Sequence, residues 1–393
     1  MTTSPRTIST EGAVRIHLLC PALLLAGLLF PAALSAAEAD AEVTAIVKAR
    51  GLAESPTPLR EMPGWAPRKV VVYVPQRVAS TQSDFREGFR AAAGTDIDLL
   101  FVDGGSASVA GLLAGADAVI GFCEPEVIAA TGASLFWLHS YSIGVDGCLA
   151  VGDAAFTGKV FSNSKRLSGP AMAEHGIAML LSLARGLPDY YRAQQQEHWD
   201  RGIAGNERFG EVAGKTLLVA GLGGIGSEVA SRAHGLGMRV IATRNSSREG
   251  PAYVDYVGLA DELYKLAGEA DVVVNSLPLT DRTRHLFDRR FFDALRPGAI
   301  FISLGRGEST VTADLVRALD SGQLYAAGLD VTDPEPLPAN HPLWSMPRVI
   351  ITPHVAATGG DSFRRAAIIA QENLRRYVAG EALLNPVDMT RGY

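Results

Sequence analysis

The sequence predicts an α/β protein made of two parallel-sheet domains. Short, continuously apolar runs recur along the chain and alternate with stretches of helical composition. Because helices cover both faces of a parallel sheet, its strands read as uninterrupted apolar runs. The chain has 393 residues, of which 47% are hydrophobic and 20% charged, and this composition is typical of a folded protein large enough for two domains.

The N-terminus differs from the rest of the chain. Arg6 and Arg15 precede an apolar stretch over 16–34, which ends in small residues. This order is typical of a secretory signal peptide, so we expect one over 1–37 and a periplasmic or secreted protein. Proline and glycine interrupt the stretch, which disfavours a stable membrane span and a stable membrane partner. The alternatives are an uncleaved anchor and a misassigned start codon, which would leave the protein cytoplasmic.

The remaining chain divides into a linker and two domains. The stretch 38–67 is rich in Ala, Pro and Glu and is expected to be a linker. A first domain is predicted over 68–168 and 360–393, and a second over 169–359. The second domain is inserted because the last predicted helix resembles a return to the first. The predicted strands lie at 70–74, 99–102, 118–122, 135–138, 216–220, 239–242, 271–276, 299–303, 326–330 and 349–352, and the predicted helices at 83–93, 170–185 and 362–378.

A glycine-rich turn follows one strand of the second domain. Gly221–Gly226 has the spacing G-x-G-x-x-G between an apolar strand and a helix, which is the context of a dinucleotide site. Gly221 permits the tight turn, Gly223 leaves room for the pyrophosphate, and Gly226 lets the helix pack closely. The N-terminus of the helix then offers free N–H groups to the phosphates. The expected contacts are Gly221, Gly223, Gly224, Ile225 and Gly226.

The end of the next strand bears on the choice between NAD and NADP. An acidic residue usually binds the ribose hydroxyls there, but this sequence has Arg244, with Ser246 and Arg248 close behind. A carboxylate would repel a 2′-phosphate, whereas an arginine pairs with it. We therefore predict NADP(H), bound through Arg244 and Ser246 or Arg248. NAD(H) is the alternative if Arg244 is only a solvated surface side chain.

Three polar side chains follow late strands of the second domain, namely Arg306, Glu335 and His354. Since ligands gather at the carboxyl ends of parallel strands, we expect them to lie together. Each also has a simpler interpretation: a surface arginine, a charged loop residue and a residue that ends a strand. An imidazole can donate a proton, a carboxylate can orient it and favour its charged form, and a guanidinium can bind an anion. With a hydride from the dinucleotide, these groups would reduce a ketone.

The sequence resembles the D-isomer-specific 2-hydroxyacid dehydrogenases, in particular the glyoxylate/hydroxypyruvate reductases. The resemblance runs from about Lys69 to the C-terminus and rests on Gly221–Gly226, Asn275–Thr280, Ser303–Gly307, Gly328–Leu337 and Thr352–Thr358. It implies two Rossmann-like or flavodoxin-like domains. Together with the long helix from Pro170, it suggests a homodimer.

The resemblance also implies roles for individual residues. Arg306 would bind the substrate carboxylate and keto oxygen, and His354 would be the acid/base with Glu335 as its partner. Asp330 would lie near the nicotinamide carboxamide. The segment before the arginine loop would add Leu277, Pro278 and Thr280 as cofactor contacts. Ser303 stands where the family often has Asn, so we expect altered tuning and no loss of function.

The turn after a strand of the first domain, Ser140–Asp146, resembles the family's carboxylate-binding turn. Backbone N–H groups of Ser142, Ile143 and Gly144 could receive the carboxylate, and Tyr141 could line the pocket. A simple turn at a strand end is the alternative.

These observations predict hydride transfer between NAD(P)H and a small 2-keto or D-2-hydroxy acid, in the reductive direction. The alternative is a non-catalytic NAD(P)-binding sensor or co-repressor-like scaffold of the same fold. A formate-dehydrogenase-like enzyme also shares the fold, but that branch carries an amide where Glu335 stands. The net charge of −6 and the scattered basic residues disfavour a nucleic-acid partner.

The sequence shows no metal-ligand spacing, so no metal is expected. Of the three cysteines, Cys20 lies in the leader. Cys123 and Cys148 could pair in an oxidising compartment, but we expect two buried thiols.

Overall fold

The computed structural model describes residues 36–75, 82–103, 109–149, 151–203 and 209–392. The signal peptide predicted over 1–37 lies outside them, apart from its last two residues, which begin the first helix. In this part of the chain, no helix is long and apolar enough to cross a membrane.

The segment 38–67 is structured, so the linker expectation is wrong. Helix α1 (Ala36–Arg50) packs on the last helix of the chain and buries Ile46. Leu52 is buried in the same cluster, and Leu59 is completely buried in the core of the first domain. Composition suggested a linker, but these few apolar side chains attach the segment to the first domain.

The first domain contains a sheet of five parallel strands in the order β2-β1-β3-β4-β5. Val70, Val71 and Val72 of β1 are all completely buried, because helices cover both faces of the sheet. The fifth strand was not predicted. The strands are β1 (Lys69–Val74), β2 (Asp98–Asp103), β3 (Ala118–Gly121), β4 (Trp137–Ser140) and β5 (Val160–Asn163), and the helices are α2 (Gln82–Ala93), α3 (Val109–Leu113), α4 (Pro125–Thr131) and α5 (Asp146–Leu149).

The second domain begins with α6 (Gly169–Ala184) and α7 (Leu187–Gln195) and contains seven parallel strands. Their order is β12-β11-β10-β9-β6-β7-β8, so the chain moves outward in opposite directions on either side of β6. Such a reversal opens a crevice at the carboxyl ends of the strands. The strands are β6 (Thr216–Ala220), β7 (Arg239–Arg244), β8 (Tyr256–Leu259), β9 (Val272–Asn275), β10 (Ala299–Ser303), β11 (Leu324–Leu329) and β12 (Val349–Ile351), and the helices are α8 (Gly224–Gly235), α9 (Leu263–Ala267), α10 (Arg289–Ala294) and α11 (Thr312–Asp320).

The last helix, α12 (Ser362–Ala379), returns to the first domain. It packs along α2 and buries Leu374 and Tyr377 in the core of the first domain. The Tyr377 hydroxyl donates to Asp117 Oδ1 at 2.7 Å. The second domain is therefore inserted between two parts of the first, as the sequence predicted.

Cys123 and Cys148 form a disulfide with their Cα atoms 5.2 Å apart, so the expectation of two thiols is wrong. Cys123 follows β3 and Cys148 lies in α5, which places the bond near the carboxyl end of the first sheet. This distance could not be predicted from the sequence, because the two residues are 25 positions apart.

Candidate active site

Arg306, Glu335 and His354 all line one cleft between the two domains, as predicted. They stand in the loops after β10, β11 and β12, which are neighbouring strands at one side of the sheet. His354 Nδ1 lies 2.7 Å from Glu335 Oε1. Because a carboxylate accepts, Nδ1 carries the hydrogen and Nε2 remains as the second ring nitrogen. The two side chains are 40% and 43% exposed, so a ligand in the cleft can reach them.

Asp330 holds the loop that carries His354. Its buried carboxylate accepts from the Val355 and Ala356 N–H groups at 2.9 and 3.0 Å. It also accepts from the Thr352 hydroxyl at 2.6 Å, which in turn lies 2.9 Å from His175 Nε2. His354 itself has a φ of +55°, a region that non-glycine residues rarely adopt, and these bonds offset its cost.

This network bears on the role that the resemblance implied for Asp330. Both carboxylate oxygens of Asp330 are engaged by protein donors, and its side chain is 1% exposed. We therefore assign it to positioning of the His354 loop. The predicted contact with the nicotinamide carboxamide stays a prediction.

Arg306 reaches across the cleft to the first domain. Its Nε and Nη2 each lie 3.1 Å from Asp146 Oδ1, and its Nη1 donates to the Gly305 carbonyl at 3.0 Å. The sequence did not identify Asp146 as a partner, because the two residues are 160 positions apart. Their ion pair holds the guanidinium at the first domain's turn.

The buried side-chain amide of Asn275 supports the loop after β10, which carries Arg306. Asn275 Nδ2 donates to Ser303 Oγ at 3.1 Å and to Ser309 Oγ at 2.8 Å. Ser309 Oγ then donates to the Arg306 carbonyl at 2.6 Å. The serine at position 303 thus takes part in the network through a single hydrogen bond, as expected for the residue that replaces asparagine.

Ser142, Ile143 and Gly144 line the same cleft as His354, and the Ser142 N–H donates to Ser140 Oγ at 3.2 Å. A side chain at position 144 would collide with the Arg306 guanidinium and the Asp146 carboxylate. A larger residue at position 144 would therefore displace these two side-chain ends, whereas glycine leaves room for their ion pair.

The glycine-rich turn has the geometry of a dinucleotide cradle. Gly221 has a φ of +97°, and a side chain at Gly226 would collide with the Gly221 carbonyl. Helix α8 begins at Gly224, and nothing lies within 4 Å of a side chain placed at Gly223. The open surface at Gly223 and the helix N-terminus at Gly224 and Ile225 fit a pyrophosphate.

The segment after β9 borders this cradle. A side chain at Gly221 would meet Leu277 Cδ2 at 2.9 Å, so Leu277 lies directly over the glycine turn. Pro278 follows it, and the Thr280 N–H donates to Thr283 Oγ1 at 2.8 Å in the next turn. These positions are consistent with the predicted cofactor contacts, which stay predictions.

A basic residue stands at the end of β7, where an acidic residue is usual, and a second basic residue follows in the loop. Arg244 ends β7 and its Nη1 donates to the Glu249 carbonyl at 2.9 Å, while Ser246 is exposed. Arg248 is occupied by an ion pair with Glu262 Oε2 at 2.5 Å. Among the described residues, Arg244 donates only to a backbone carbonyl, and a stronger anionic partner could replace that contact.

The cleft has a volume of about 760 Å³. Among the described residues, no group of three or more His, Cys, Asp or Glu is placed to hold a metal ion. The cleft brings together an imidazole–carboxylate pair and a guanidinium, and the sheet of the second domain carries a glycine turn that fits a dinucleotide. Such groups can together transfer a hydride and a proton.

Comparisons with known proteins agree with this geometry. The family described as D-isomer specific 2-hydroxyacid dehydrogenase, NAD binding domain, matches residues 177–356. Glyoxylate reductase/hydroxypyruvate reductase from Mus musculus is 32% identical over 264 residues, which cover 66% of this chain and 79% of that protein.

A solved structure shows the same fold. NADPH-dependent glyoxylate/hydroxypyruvate reductase from Sinorhizobium meliloti, in complex with NADP and sulfate, has a TM-score of 0.69 and 26% identity. The match covers 83% of this chain and all of that one.

Other curated relatives are longer than the matched region. D-3-phosphoglycerate dehydrogenase from Methanocaldococcus jannaschii is 33% identical over 63% of this chain, but the match covers only 46% of that protein. A second relative, from Corynebacterium melassecola, is 39% identical to this chain over the matched region, which covers 59% of that protein.

Proposed function

The chain belongs to the D-isomer-specific 2-hydroxyacid dehydrogenase family, and from this premise we propose that it reduces small 2-keto acids to D-2-hydroxy acids with NADPH. The 2.7 Å contact between His354 Nδ1 and Glu335 Oε1, in the cleft that also receives Arg306, carries the proposal. A histidine with a purely structural role is expected to be buried, whereas the His354 side chain is 40% exposed in the cleft.

In this proposal each side chain has one task. The Arg306 guanidinium and the N–H groups of Ser142 to Gly144 bind the substrate carboxylate, and the same guanidinium stabilises negative charge at the keto oxygen. His354 donates the proton on Nε2 to that oxygen, while Glu335 orients the ring through Nδ1 and stabilises its charged form. Bound NADPH supplies the hydride to the carbonyl carbon.

Arg244 supports the proposal for NADPH over NADH. It stands at the end of β7 in place of the acidic residue that would repel a 2′-phosphate, and the Sinorhizobium meliloti relative is described as NADPH-dependent. We expect kcat/KM for NADPH to exceed that for NADH about tenfold or more, and Arg244→Asp to abolish this preference. Arg248→Ala is the matched control, because Glu262 already occupies Arg248. An equal preference in wild type and Arg244→Asp would contradict the proposal.

A turnover assay tests the function itself. Purified protein is mixed with NADPH and either glyoxylate or hydroxypyruvate, and loss of NADPH absorbance is followed together with the chirality of the product. The proposal predicts turnover to the D-isomer. Tight NADPH binding with no turnover on any 2-keto acid would favour the sensor alternative.

For the cellular location, we propose export to a periplasm or secretion. The signal-like order of residues over 1–37 and the disulfide between Cys123 and Cys148 both support an oxidising compartment. Cell fractionation and the mass of the mature chain test this proposal. A full-length protein found only in the cytoplasm would refute it.

We also propose a homodimer. Leu187, Tyr191 and Trp199 are 52%, 62% and 88% exposed, in α7 and the segment after it. Such neighbouring apolar side chains are typical of a protein interface. In sedimentation experiments the wild type should be a dimer, and Trp199→Ser should dissociate into monomers at higher protein concentrations than the wild type does. A monomeric wild type would overturn the proposal.

A further inference from the structure

We infer that the preferred substrates are 2-keto monocarboxylic acids with an apolar side chain, aromatic or branched aliphatic. This inference rests on the proposed function and concerns the part of the cleft that receives the substrate's side chain. It is carried by three aromatic residues on one side of the cleft and by the distribution of charge around them.

Phe122, Tyr141 and Phe363 form what we call the aromatic wall. They come from the ends of β3 and β4 and the start of α12, and all three line the cleft. The Tyr141 ring lies in the middle, with its centroid 6.1 Å from those of Phe122 and Phe363. All three rings are partly exposed, while Phe85 packs behind Phe363 and Tyr141 at 6.1 and 6.5 Å.

The aromatic wall presents carbon surface and few polar atoms. The Tyr141 hydroxyl points away from the ligand space and donates to the Tyr73 carbonyl at 3.3 Å. Its enclosure raises the pKa of Tyr141 well above its ordinary value, so the group stays neutral. Ile143 and the buried Met172 extend the apolar lining toward the carboxylate-binding turn.

The position of the aromatic wall matches the expected direction of the substrate. Tyr141 directly precedes the turn 142–144, whose N–H groups and Arg306 would hold the α-carboxylate. A side chain on the carbon beyond the keto group therefore starts within reach of the wall. The cleft volume of about 760 Å³ leaves room for such a side chain in addition to a nicotinamide.

The charges of the cleft disfavour a second anionic group. Among the described residues that line it, only Arg306 and His354 are basic, and both act at the reacting end of the substrate. Glu124 lies beside the aromatic wall and raises the pKa of Tyr73 through its negative charge, after the larger effect of burial. Among the described lining residues, a phosphate or a second carboxylate would therefore meet repulsion from Glu124 and find no basic side chain besides Arg306 and His354.

The expected preference follows from the apolar area that is buried. A phenyl or isobutyl group buried against the wall should raise kcat/KM about tenfold to a hundredfold over an acid without a side chain. A substrate with a phosphate in the same place gains no such contact and is repelled by Glu124.

The test is a comparison of substrates on the wild-type enzyme with saturating NADPH. kcat/KM is measured for phenylpyruvate, 4-methyl-2-oxopentanoate, glyoxylate, 2-oxoglutarate and 3-phosphohydroxypyruvate. We expect at least a tenfold preference for the first two over all the others. Equal or better turnover of glyoxylate, 2-oxoglutarate or 3-phosphohydroxypyruvate overturns the inference, although it leaves the proposed function intact. No turnover of any compound overturns the proposed function.

Variants connect the preference to the aromatic wall. Phe122→Ser and Phe363→Ser should each lower the phenylpyruvate-to-glyoxylate ratio of kcat/KM about tenfold, because glyoxylate has no side chain to contact the wall. Phe101→Ser is the control, since Phe101 lies on β2 against Arg86 and Arg90. An unchanged ratio in both wall variants overturns the inference. If these variants do not fold, the wild-type comparison still decides.

Discussion

Asp330 offers a sharp test of how the loop that carries His354 is held. Its carboxylate accepts from the N–H groups of Val355 and Ala356 and from the Thr352 hydroxyl, at 2.6 to 3.0 Å. Asp330→Asn preserves the size of the side chain but converts one of the two accepting oxygens into an amide NH₂. A donor then faces either the Ala356 N–H, or the Val355 N–H and the Thr352 hydroxyl.

The cost can be worked out from these contacts. A hydrogen bond to a charged acceptor contributes about 1.5 to 3 kcal/mol, and a buried donor left without an acceptor costs a similar amount. We therefore expect Asp330→Asn to destabilise the loop conformation in which His354 has a φ of +55° by about 2 to 3 kcal/mol, relative to other conformations of the loop. Since about 1.4 kcal/mol corresponds to a factor of ten, kcat should fall roughly 30- to 150-fold.

The assay measures kcat at saturating NADPH and 2-keto acid, and the Kd for NADPH by fluorescence titration. We expect a large fall in kcat and a Kd within about threefold of wild type. Asp320→Asn, at the exposed end of α11, is the control for loss of a carboxylate elsewhere in the domain. A Kd that rises more than kcat falls would refute this reasoning and make Asp330 a cofactor ligand, as the family resemblance implied.

Three further predictions concern other parts of the chain. Glu335→Gln should lower kcat about a hundredfold, because the His354 ring loses the carboxylate that orients it; an unchanged kcat would argue against the pair. Cys148→Ser opens a disulfide across 25 positions and should lower the free energy of unfolding by about 3 kcal/mol in urea titrations, whereas an unchanged midpoint would count against the bond. Burial lowers the pKa of His139 from 6.5 to about 3, so the unfolded state alone binds this proton between those values. Stability should therefore fall as pH drops through this window, by about 1.4 kcal/mol per pH unit, and His139→Gln, compared by denaturation at pH 5 and pH 7, should remove that contribution.

Local sequence was sufficient for the elements whose signal is local. The apolar run at Val70–Val74 indicates a strand that is covered on both faces. The glycine spacing at Gly221–Gly226 indicates a tight turn before a helix. Arg306, Glu335 and His354 were predicted together, because the ends of neighbouring parallel strands must meet at one edge of a sheet.

Features that depend on distant contacts could not be predicted in this way. Asp146 meets Arg306 from 160 positions away, and only the closure of the cleft brings them together. The disulfide depends on how β3 and α5 pack. Helix α1 has almost no apolar face of its own and is fixed by a few contacts with α12, so composition alone suggested a linker.

The central claim is that His354 supplies the proton during hydride transfer beside a bound nicotinamide. The most direct measurement is single-turnover NADPH oxidation by His354→Ala, with a 2-keto acid that the wild type reduces and with His234→Ala, an exposed histidine of α8, as the control. The account predicts a rate about a thousandfold below wild type, with an NADPH Kd within about threefold of it. A rate close to that of wild type in His354→Ala would contradict it.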